Sequence, residues 1–579
     1  MILRRLVEYA RRMEDEGVLT PVMYASVPVR WQIVLTEKGD LEGFVSLGGD
    51  RKDNRRGERL DVPNLVRAAG IKPKLLVDNG EYVLGMGRPD SDPSKVQERH
   101  RRFVELVERC ANETEDADVV AVSRFLARWD EGEYRDKLRD DFDPQDNMTF
   151  RVRGKFPFDH DSVKAFWSKS TTGAGMPEMT CLVTGEFGPV EQRLPVKVKG
   201  LTGIGGQSSG TALISANAEP FESYGLKNSL TSPISRNAGE LFGKALNHLL
   251  ADERSRVFVG PSVYVFWTRE KSTFDPVTFL QNRPDPESVK LLLNSSLSGV
   301  VRSGVGADDF YGLALSASGG RAVVRDWLEM TIPEAEKNLK RWFTAQRVVN
   351  YQGEMGTPFG LYALAAGAYR DASKEMTPQV PASLVRAAVK GGRLPEDLLV
   401  RAVRRNRAEG DVSRQRAALI KLVMIYGGGE GARMAQKLEE LNPEVTDAAY
   451  HCGRLLAELE DLQRRAIPGV KATIMDRYYG AASSTPASVF GTLMRGHVAH
   501  IGKIRKEMPG VGVAIQDRIS EITTKIGPVF PSTLTMRRQA IFALGYYHQR
   551  SHNRAEVARA KAEKEARAQS NESNDETEA

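Results

Sequence analysis

Apolar residues recur at helical spacing from the first turn of the chain. Ile2, Leu3, Leu6, Val7, Ala10 and Met13 share one face of residues 2–13, and arginines and Glu8 fill the rest. The spacing predicts an amphipathic helix. The pattern then shortens. Residues 31–36 and 81–85 are brief apolar runs rich in β-formers and predict strands, with a basic, turn-rich stretch at 51–59 between them. Residues 94–140 return to helical period through Phe103, Val104 and Val107, then Val122, Phe125, Leu126 and Trp129. Strand-like runs dominate from 148 to 330, at 148–153, 180–184, 211–215, 257–259 and 262–267, with a last pair near 309–327. One helix interrupts them, over 234–250, with Ser232 at its N-cap and Pro233 at its first position. Another helix follows near 333–345.

From residue 377 the pattern is nearly all helical. Several short helices fill 381–441, and Leu455, Leu456, Leu459 and Leu462 mark a helix over 452–465. Thr485 and Pro486 open a helix to about 506, and a last one covers 535–554. The expected fold class is α+β: a large mixed body followed by an all-α helical bundle. Its expected parts are a body over 1–376, a helical connector over 377–440, the bundle over 441–555, and a charged tail over 556–579 with a disordered acidic end.

The 579 residues are 41% hydrophobic, ample for a core. Cys110, Cys181 and Cys452 are scattered and form no C-x-x-C pair, which excludes a disulfide framework and a cysteine-rich zinc site. No apolar run reaches the ~18 residues of a membrane span. The charged N-terminus does not suit a signal peptide, so a cytoplasmic protein without membrane partners is expected.

Charge changes the picture only when it is resolved along the chain. Overall, 82 Lys and Arg face 76 Asp and Glu, a net +6. Residues 381–579 hold 31 basic and 23 acidic side chains, and residues 471–554 hold 12 against 4. The excess is therefore local, and a local basic patch suits a polyanion partner, with a solvated Arg/Lys surface as the equal alternative on charge alone.

The chemistry-bearing motifs are few. Residues 206–210, Gly-Gln-Ser-Ser-Gly, match G-x-S-x-G, but a nucleophile elbow needs a strand before it and a helix after it. The following 211–215 is β-like, so a serine-dependent hydrolase is the weaker alternative. A Gly/Ser loop with free backbone N–H groups can instead approach a phosphate or groove edge, and Lys197 and Lys199 lie just upstream. A plain hairpin loop is the bland alternative. Asp159, His160 and Asp161 have no second metal-ligating cluster in sequence, and His497 and His500 lack a Glu-x-x-His partner. The reading is a non-enzyme with no metal and no cofactor. Paired tyrosines beside Arg477 and Arg550, with Arg537 and Arg538 upstream of the second pair, suit a single-stranded nucleic acid. Arg495, Lys503 and Lys506 share one helix face. Helix-packing tyrosines with solvated arginines are the alternative.

Several ordered segments together resemble one family, the large subunit of the type I-C CRISPR interference complex. They are residues 76–85 (LVDNGEYVLG), 205–225 (GGQSSGTALISANAEPFESYG), 232–235 with 245–250, 265–267, 324–327, 476–490 (DRYYGAASSTPASVF) and 542–550 (FALGYYHQR). The chain departs from the family pattern at Gly80, where Ala is expected, and at Ala216, where an aromatic is expected. The resemblance implies a non-catalytic subunit that recognises the protospacer-adjacent motif in double-stranded DNA and helps open the duplex into an R-loop. The implied partners are a guide CRISPR RNA, backbone and handle-binding subunits, a small subunit and a separate helicase–nuclease. A pure scaffold without DNA contact is the remaining alternative. On this resemblance Asn79, Gln207, Ser208, Ser209 and Asn217 read the groove. Gly205, Gly206 and Gly210 allow close approach, and Lys72, Lys74, Lys197 and Lys199 hold nearby phosphates. Arg477, Arg495, Lys503, Lys506, Arg537, Arg538 and Arg550 hold the displaced strand. The family also makes a small subunit from an internal start. Met434, after the Gly run at 427–429, is the candidate.

Overall fold

The structure is a computed structural model. It describes residues 1–48, 57–65, 70–129, 137–171, 176–281, 284–285, 287–289 and 309–575, with side chains to 566. Most of the basic stretch at 51–59 lies outside the described residues. The chain is α+β, with its sheets in the N-terminal part and helices dominating the C-terminal region. It forms two compact units, one of residues 1–199 and 209–248, the other of 200–208 and 249–579.

The first unit opens with the predicted helix, Ile2–Asp15. Strands β1 (Tyr24–Val29), β2 (Trp31–Leu35), β3 (Leu41–Ser46), β4 (Glu58–Pro63), β5 (Val77–Asn79) and β6 (Asn147–Val152) follow. A four-stranded sheet has the order β3-β2-β6-β5, with β2 and β6 parallel, and β1 pairs separately with β4. The helices Pro93–Thr114 and Ala117–Ala127 are N-capped by the side chains of Asp92 and Asp116. They bring Phe103 and Phe125 against Phe150 of β6, with ring centroids 6.4 and 6.2 Å apart. Later come the helix Asp161–Thr171, the hairpin of β7 (Glu178–Thr180) and β8 (Phe187–Pro189), and the helix Arg236–Ala251.

Four expectations fail here for physical reasons. Residues 81–85 are not a strand: β5 stops at Asn79 and Gly80–Val83 is a helical turn, closed by Leu84 N donating to Gly80 O at 2.9 Å. Tyr82, Val83 and Leu84 are all buried, and a short run buried on every side carries no period to separate helix from strand. Residues 181–184 turn back toward β8 instead of extending the strand. Residues 211–215 make only a single bridge, between Thr211 and Val198. The helix expected from 234 starts at Arg236. Pro233 O accepts from Leu182 N and Ile234 O from Glu191 N, which holds both residues extended. Ser235, not Ser232, meets the open helix N-terminus, through Oγ and Ala238 N.

The second unit holds an antiparallel sheet of β9 (Arg256–Val259), β10 (Ser262–Thr268), β11 (Asp309–Ser318) and β12 (Arg321–Thr331) in the order β12-β11-β10-β9. Thr331 and Glu334 form a capping box that starts the helix Ile332–Ala345. Further helices build the core of the unit, among them Leu361–Ala366, Gln379–Lys390, Glu396–Glu409, Arg414–Gly427, Gly429–Gln436 and Ala448–Ala466. Ile474–Ser484, Pro486–Glu507, Pro509–Ile526 and Met536–Asp575 complete them. One apolar core runs from Val257 to Tyr547. Sheet and helices share it, so the chain divides around 199–249 and not at 376 or 440. The helix Pro509–Ile526 escaped the sequence reading, although Ile515, Ile519, Ile522 and Ile526 bury a clear stripe. The last helix outruns its expected end at 554 and continues to Asp575. No helix among the described residues is long and apolar enough to cross a membrane.

The helices Ala448–Ala466 and Met536–Asp575 meet backbone to backbone. A Cβ placed on Gly453 would fall on Phe542 O, and one on Gly545 would fall on Tyr450 O. Polar groups are buried beside this contact. Arg454 Nε donates to Gln549 Oε1 at 2.9 Å, and Gln549 Nε2 donates to Glu458 Oε1 at 2.7 Å. His548 Nδ1 lies 3.0 Å from Tyr450 Oη, and its Nε2 is buried without a hydrogen-bond partner. Burial, and then the nearby Lys421 ammonium, push the His548 imidazole down to about 3.

Two outcomes are expected. Gly453→Ala and Gly545→Ala gain about 1 kcal/mol of helix propensity, but the overpacked contact costs about 1–3 kcal/mol or more and should lower the urea midpoint. Gly491→Ala, where an added Cβ meets nothing within 4 Å, should raise it slightly. Because His548 stays neutral in the folded state, the unfolded chain binds the extra proton below pH ~6.5, and stability falls as the solution is acidified. Between pH 6.5 and 5 the native chain should lose about 2 kcal/mol more than His548→Gln, measured by urea unfolding at each pH.

Candidate nucleic-acid interface

The groove-reading candidates fall into three local groups. In the first unit, the loop 71–76 leads into β5 and ends at Asn79. Asp78 is 2% exposed and accepts from Lys74 N at 2.9 Å through Oδ2 and from Asn79 N at 2.9 Å through Oδ1. One buried carboxylate thus ties the Lys74 backbone to Asn79. Lys72 is exposed and Lys74 half-buried. Asn79 is half-buried, at the register position opposite Asn147 of β6.

The second group is the stretch around Lys197 and Lys199, both exposed. Asn247 of the helix Arg236–Ala251 clamps its backbone, donating from Nδ2 to Lys197 O at 3.0 Å and accepting from Lys199 N at 2.7 Å. The clamp fixes the peptide while both ammonium groups reach solvent. Gly210 packs against this stretch with φ +98°, and a Cβ there would meet Lys197 Cβ at 2.7 Å. Glycine is required on both counts. Ser209 and Asn217 are exposed in the same unit.

The third group belongs to the second unit. Gly205, at φ +94°, accepts from Gly319 N at 3.0 Å, and Gly206 bridges Gly319 at the β11–β12 turn. Gly206 N also donates back to Leu201 O at 2.9 Å. The loop is therefore pinned at 201–206 and presents Gln207 and Ser208 exposed, with the Gln207 amide beside Gly320. Residues 206–210 form a bridge followed by a turn, not a strand–turn–helix, so Ser208 does not sit on a nucleophile elbow.

The displaced-strand candidates differ among themselves. Arg477, Arg495 and Lys506 are exposed and have no carboxylate partner among the described residues; Arg495 donates to Thr492 Oγ1 at 3.2 Å. Lys503 donates to Ala466 O at 2.7 Å. Arg537 pairs with Glu396 at 2.7 Å and Arg538 with Asp447 at 3.7 Å, both half-exposed and easily exchanged for phosphate. Arg550 is a correction. Its side chain is 18% exposed, pairs with Asp411 at 2.5 Å, and lies over the rings of Tyr351 and Tyr546. It is a packing residue, not a strand contact. Three of the four paired tyrosines are corrected with it, while Tyr478 is half-buried against the core. Tyr479, Tyr546 and Tyr547 are buried, and the hydroxyls of Tyr546 and Tyr547 donate to Glu460 and to Val349 O. They offer no stacking platform.

One cluster was not legible in the sequence. His160 lies between Asp116 and Asp118, with Nδ1 2.8 Å from Asp116 Oδ2 and Nε2 3.6 Å from Asp118 Oδ2. Asp159 and Asp161 are not its partners, and the true ones lie more than 40 residues upstream. Asp116 already caps a helix and accepts from Ser162, and Asp118 already holds Arg153 at 2.5 Å. The cluster is an ion-pair knot in the first unit.

A family model described as CRISPR-associated protein (Cas_Csd1) matches residues 6–553. The chain belongs to this family. A search of curated proteins finds no match. Membership in Cas_Csd1 makes the chain the large subunit of a type I-C CRISPR Cascade complex that works with other subunits. All segments that carry the resemblance fall inside the matched span. Of the two positions where the resemblance led to another residue being expected, nothing in the structure explains Ala216, whereas Gly80 sits where an added Cβ would meet Phe142 Cζ at 2.9 Å and Pro144 Cα at 3.1 Å.

The packing of Arg550 contributes measurably to stability. Arg550→Gln should cost about 1–3 kcal/mol in urea unfolding through the loss of a charged hydrogen bond and ring packing. It should leave the salt dependence of DNA binding by the assembled complex unchanged.

Proposed function

We propose that this Cascade subunit is non-catalytic, recognises the protospacer-adjacent motif in duplex DNA, and helps open the duplex and stabilise the R-loop. The observation that carries this reading is the loop 201–208. Its backbone is pinned to the β11–β12 turn while Gln207 and Ser208 stand exposed, with no hydrogen bond to their side chains among the described residues. A rigid loop with unengaged amide and hydroxyl groups suits base-edge contact, because little ordering cost remains at binding. Asn79, Ser209 and Asn217 supply further amide and hydroxyl groups, and Lys72, Lys74, Lys197 and Lys199 supply charge for phosphates. Guide pairing carries the long sequence readout, so a short motif is all the protein has to read. The partners are guide RNA, target DNA, the backbone, handle-binding and small subunits, and a helicase–nuclease that makes the cut in the cytoplasm.

The Arg495 and Lys506 face of Pro486–Glu507 holds the displaced strand in this reading, joined by Arg477, Lys503, Arg537 and Arg538. Met434 starts the separate small subunit. It lies in Gly429–Gln436, after a turn with φ +76° at both Gly428 and Gly429 and ahead of the five helices that begin at Ala448. Mass spectrometry of the expressed locus should find a fragment starting at Met434.

In the assembled complex, Asn79→Ala with Gln207→Ala should abolish the preference for motif-bearing duplex while guide RNA stays bound. Unchanged discrimination in a duplex-binding titration would refute the motif-reading role. Arg495→Ala with Lys506→Ala should weaken binding at all motif sequences alike. It should also flatten the log–log salt slope by about 0.7 per lost phosphate contact.

A further inference from the structure

The side chain of Asn79 stands at the end of a polar relay within the first unit. Glu81 begins it. Its carboxylate is 5% exposed, pairs with Arg99, and accepts from Ser91 Oγ at 2.8 Å. It also accepts from Gln145 Nε2 at 2.9 Å. A carboxylate in this role only accepts, so Gln145 must turn its NH2 group toward Glu81 and its Oε1 away. Oε1 then faces Asn79, whose Nδ2 lies 3.5 Å off. Asn79 Oδ1 points the other way and is buried without a hydrogen-bond partner. Reversing the Asn79 amide would set two acceptor oxygens against each other.

The backbone holds the relay in place. Gln145 N donates to Asp143 Oδ1 at 2.9 Å, and Arg88 Nε holds the same carboxylate at 2.9 Å. Pro144 passes close to Gly80, where a Cβ would meet Pro144 Cα at 3.1 Å. Glycine at position 80 therefore leaves room for the 142–145 segment beside Asn79. The last contact of the relay is long, and a long hydrogen bond is weak. A ligand acceptor can take over the Nδ2 hydrogens at little cost.

We infer that Gln145 and Glu81 are positioning residues that set the amide polarity of Asn79, so that Asn79 offers an N–H donor and selects a base edge carrying an acceptor. This rests on the reading that Asn79 faces DNA. The matching groups are a purine N7 or N3, or a carbonyl oxygen of guanine or thymine. An exocyclic amine, itself a donor, is disfavoured at the same position. Gln145 is exposed, so its replacement leaves the core intact.

The test measures duplex affinity of the guide-loaded complex for motif variants in which one acceptor atom is removed, with 7-deaza or 3-deaza purines, or one amine is removed, with inosine or unsubstituted purine. The complex with native chain should lose about three- to tenfold on removal of one acceptor, the worth of a single hydrogen bond, and nothing comparable on removal of an amine. Asn79→Ala should erase that loss. Gln145→Met, which frees the amide to rotate, should shrink it at the same base. Gln145→Lys, which points a donor at residue 79, should turn the amide and move the preference toward an amine-bearing base. Ratios between duplexes cancel the added charge of the lysine. If Gln145→Met and Gln145→Lys both keep the native preference while Asn79→Ala erases it, the relay is overturned and the reading of Asn79 stands. If Asn79→Ala keeps the native preference, the reading beneath the relay is overturned.

Discussion

Two glycines carry the helical half of the second unit. Gly453 and Gly545 let Ala448–Ala466 and Met536–Asp575 touch through their backbones, and no other residue type permits that separation. The close approach leaves little room around it, and the polar groups beside it are mostly paired, with His548 Nε2 and Glu458 Oε2 buried there without a hydrogen-bond partner among the described residues. It explains why Tyr450, Tyr546 and His548 are buried there, and why Arg454, Glu458 and Gln549 form a linked set of hydrogen bonds instead of facing solvent. Buried polar groups of this kind are costly unless satisfied. The seam therefore favours one register of the two helices, and the helices packed on them inherit it.

The same packing decides which positive charges can meet a nucleic acid. Sequence shows a basic excess over 471–554, but charge that is internally neutralised does not attract phosphate strongly. Arg550 and Arg518 point into the fold, onto Asp411 and Glu458. Arg537 holds the exposed Glu396 and Arg538 the helix-capping Asp447, and both guanidinium groups are exposed enough to exchange these carboxylates for a polyanion. Among the described residues, Arg477, Arg495 and Lys506 have no carboxylate to leave. A patch counted as one feature along the chain thus resolves into internal clamps, exchangeable pairs and available cations, and only the last two groups can contribute counterion release.

In the proposed motif-reading role, what the first unit offers depends on how its amides are oriented more than on which residues are present. Asp78, Glu81 and Asn247 are each buried acceptors or paired amides that fix a loop backbone or a neighbouring side chain. A subunit in that proposed role would have few contacts from which to draw its discrimination. Orienting each one beforehand makes it count, because an unoriented amide can satisfy donors and acceptors alike.

By itself the sequence determined the α+β class, the first helix, the strands β2, β6, β10, β11 and β12, most of the C-terminal helices and the family. These rest on local period, caps and ordered motifs, all of which are properties of neighbours in the chain. The helix Pro509–Ile526 was equally legible in its isoleucine stripe. Tertiary structure alone decided the rest. The run at 81–85 became a helical turn because it is buried on all sides, and the helix after Ser232 started late because Pro233 and Ile234 were held by distant backbone. Tyr479, Tyr546 and Arg550 look like a nucleic-acid surface until the helices that cover them are in place. His160 finds its carboxylates across 44 residues, and Gln145 meets Glu81 across 64. Burial and long-range pairing are properties of the folded chain, and no local pattern encodes which side of a residue another element will cover.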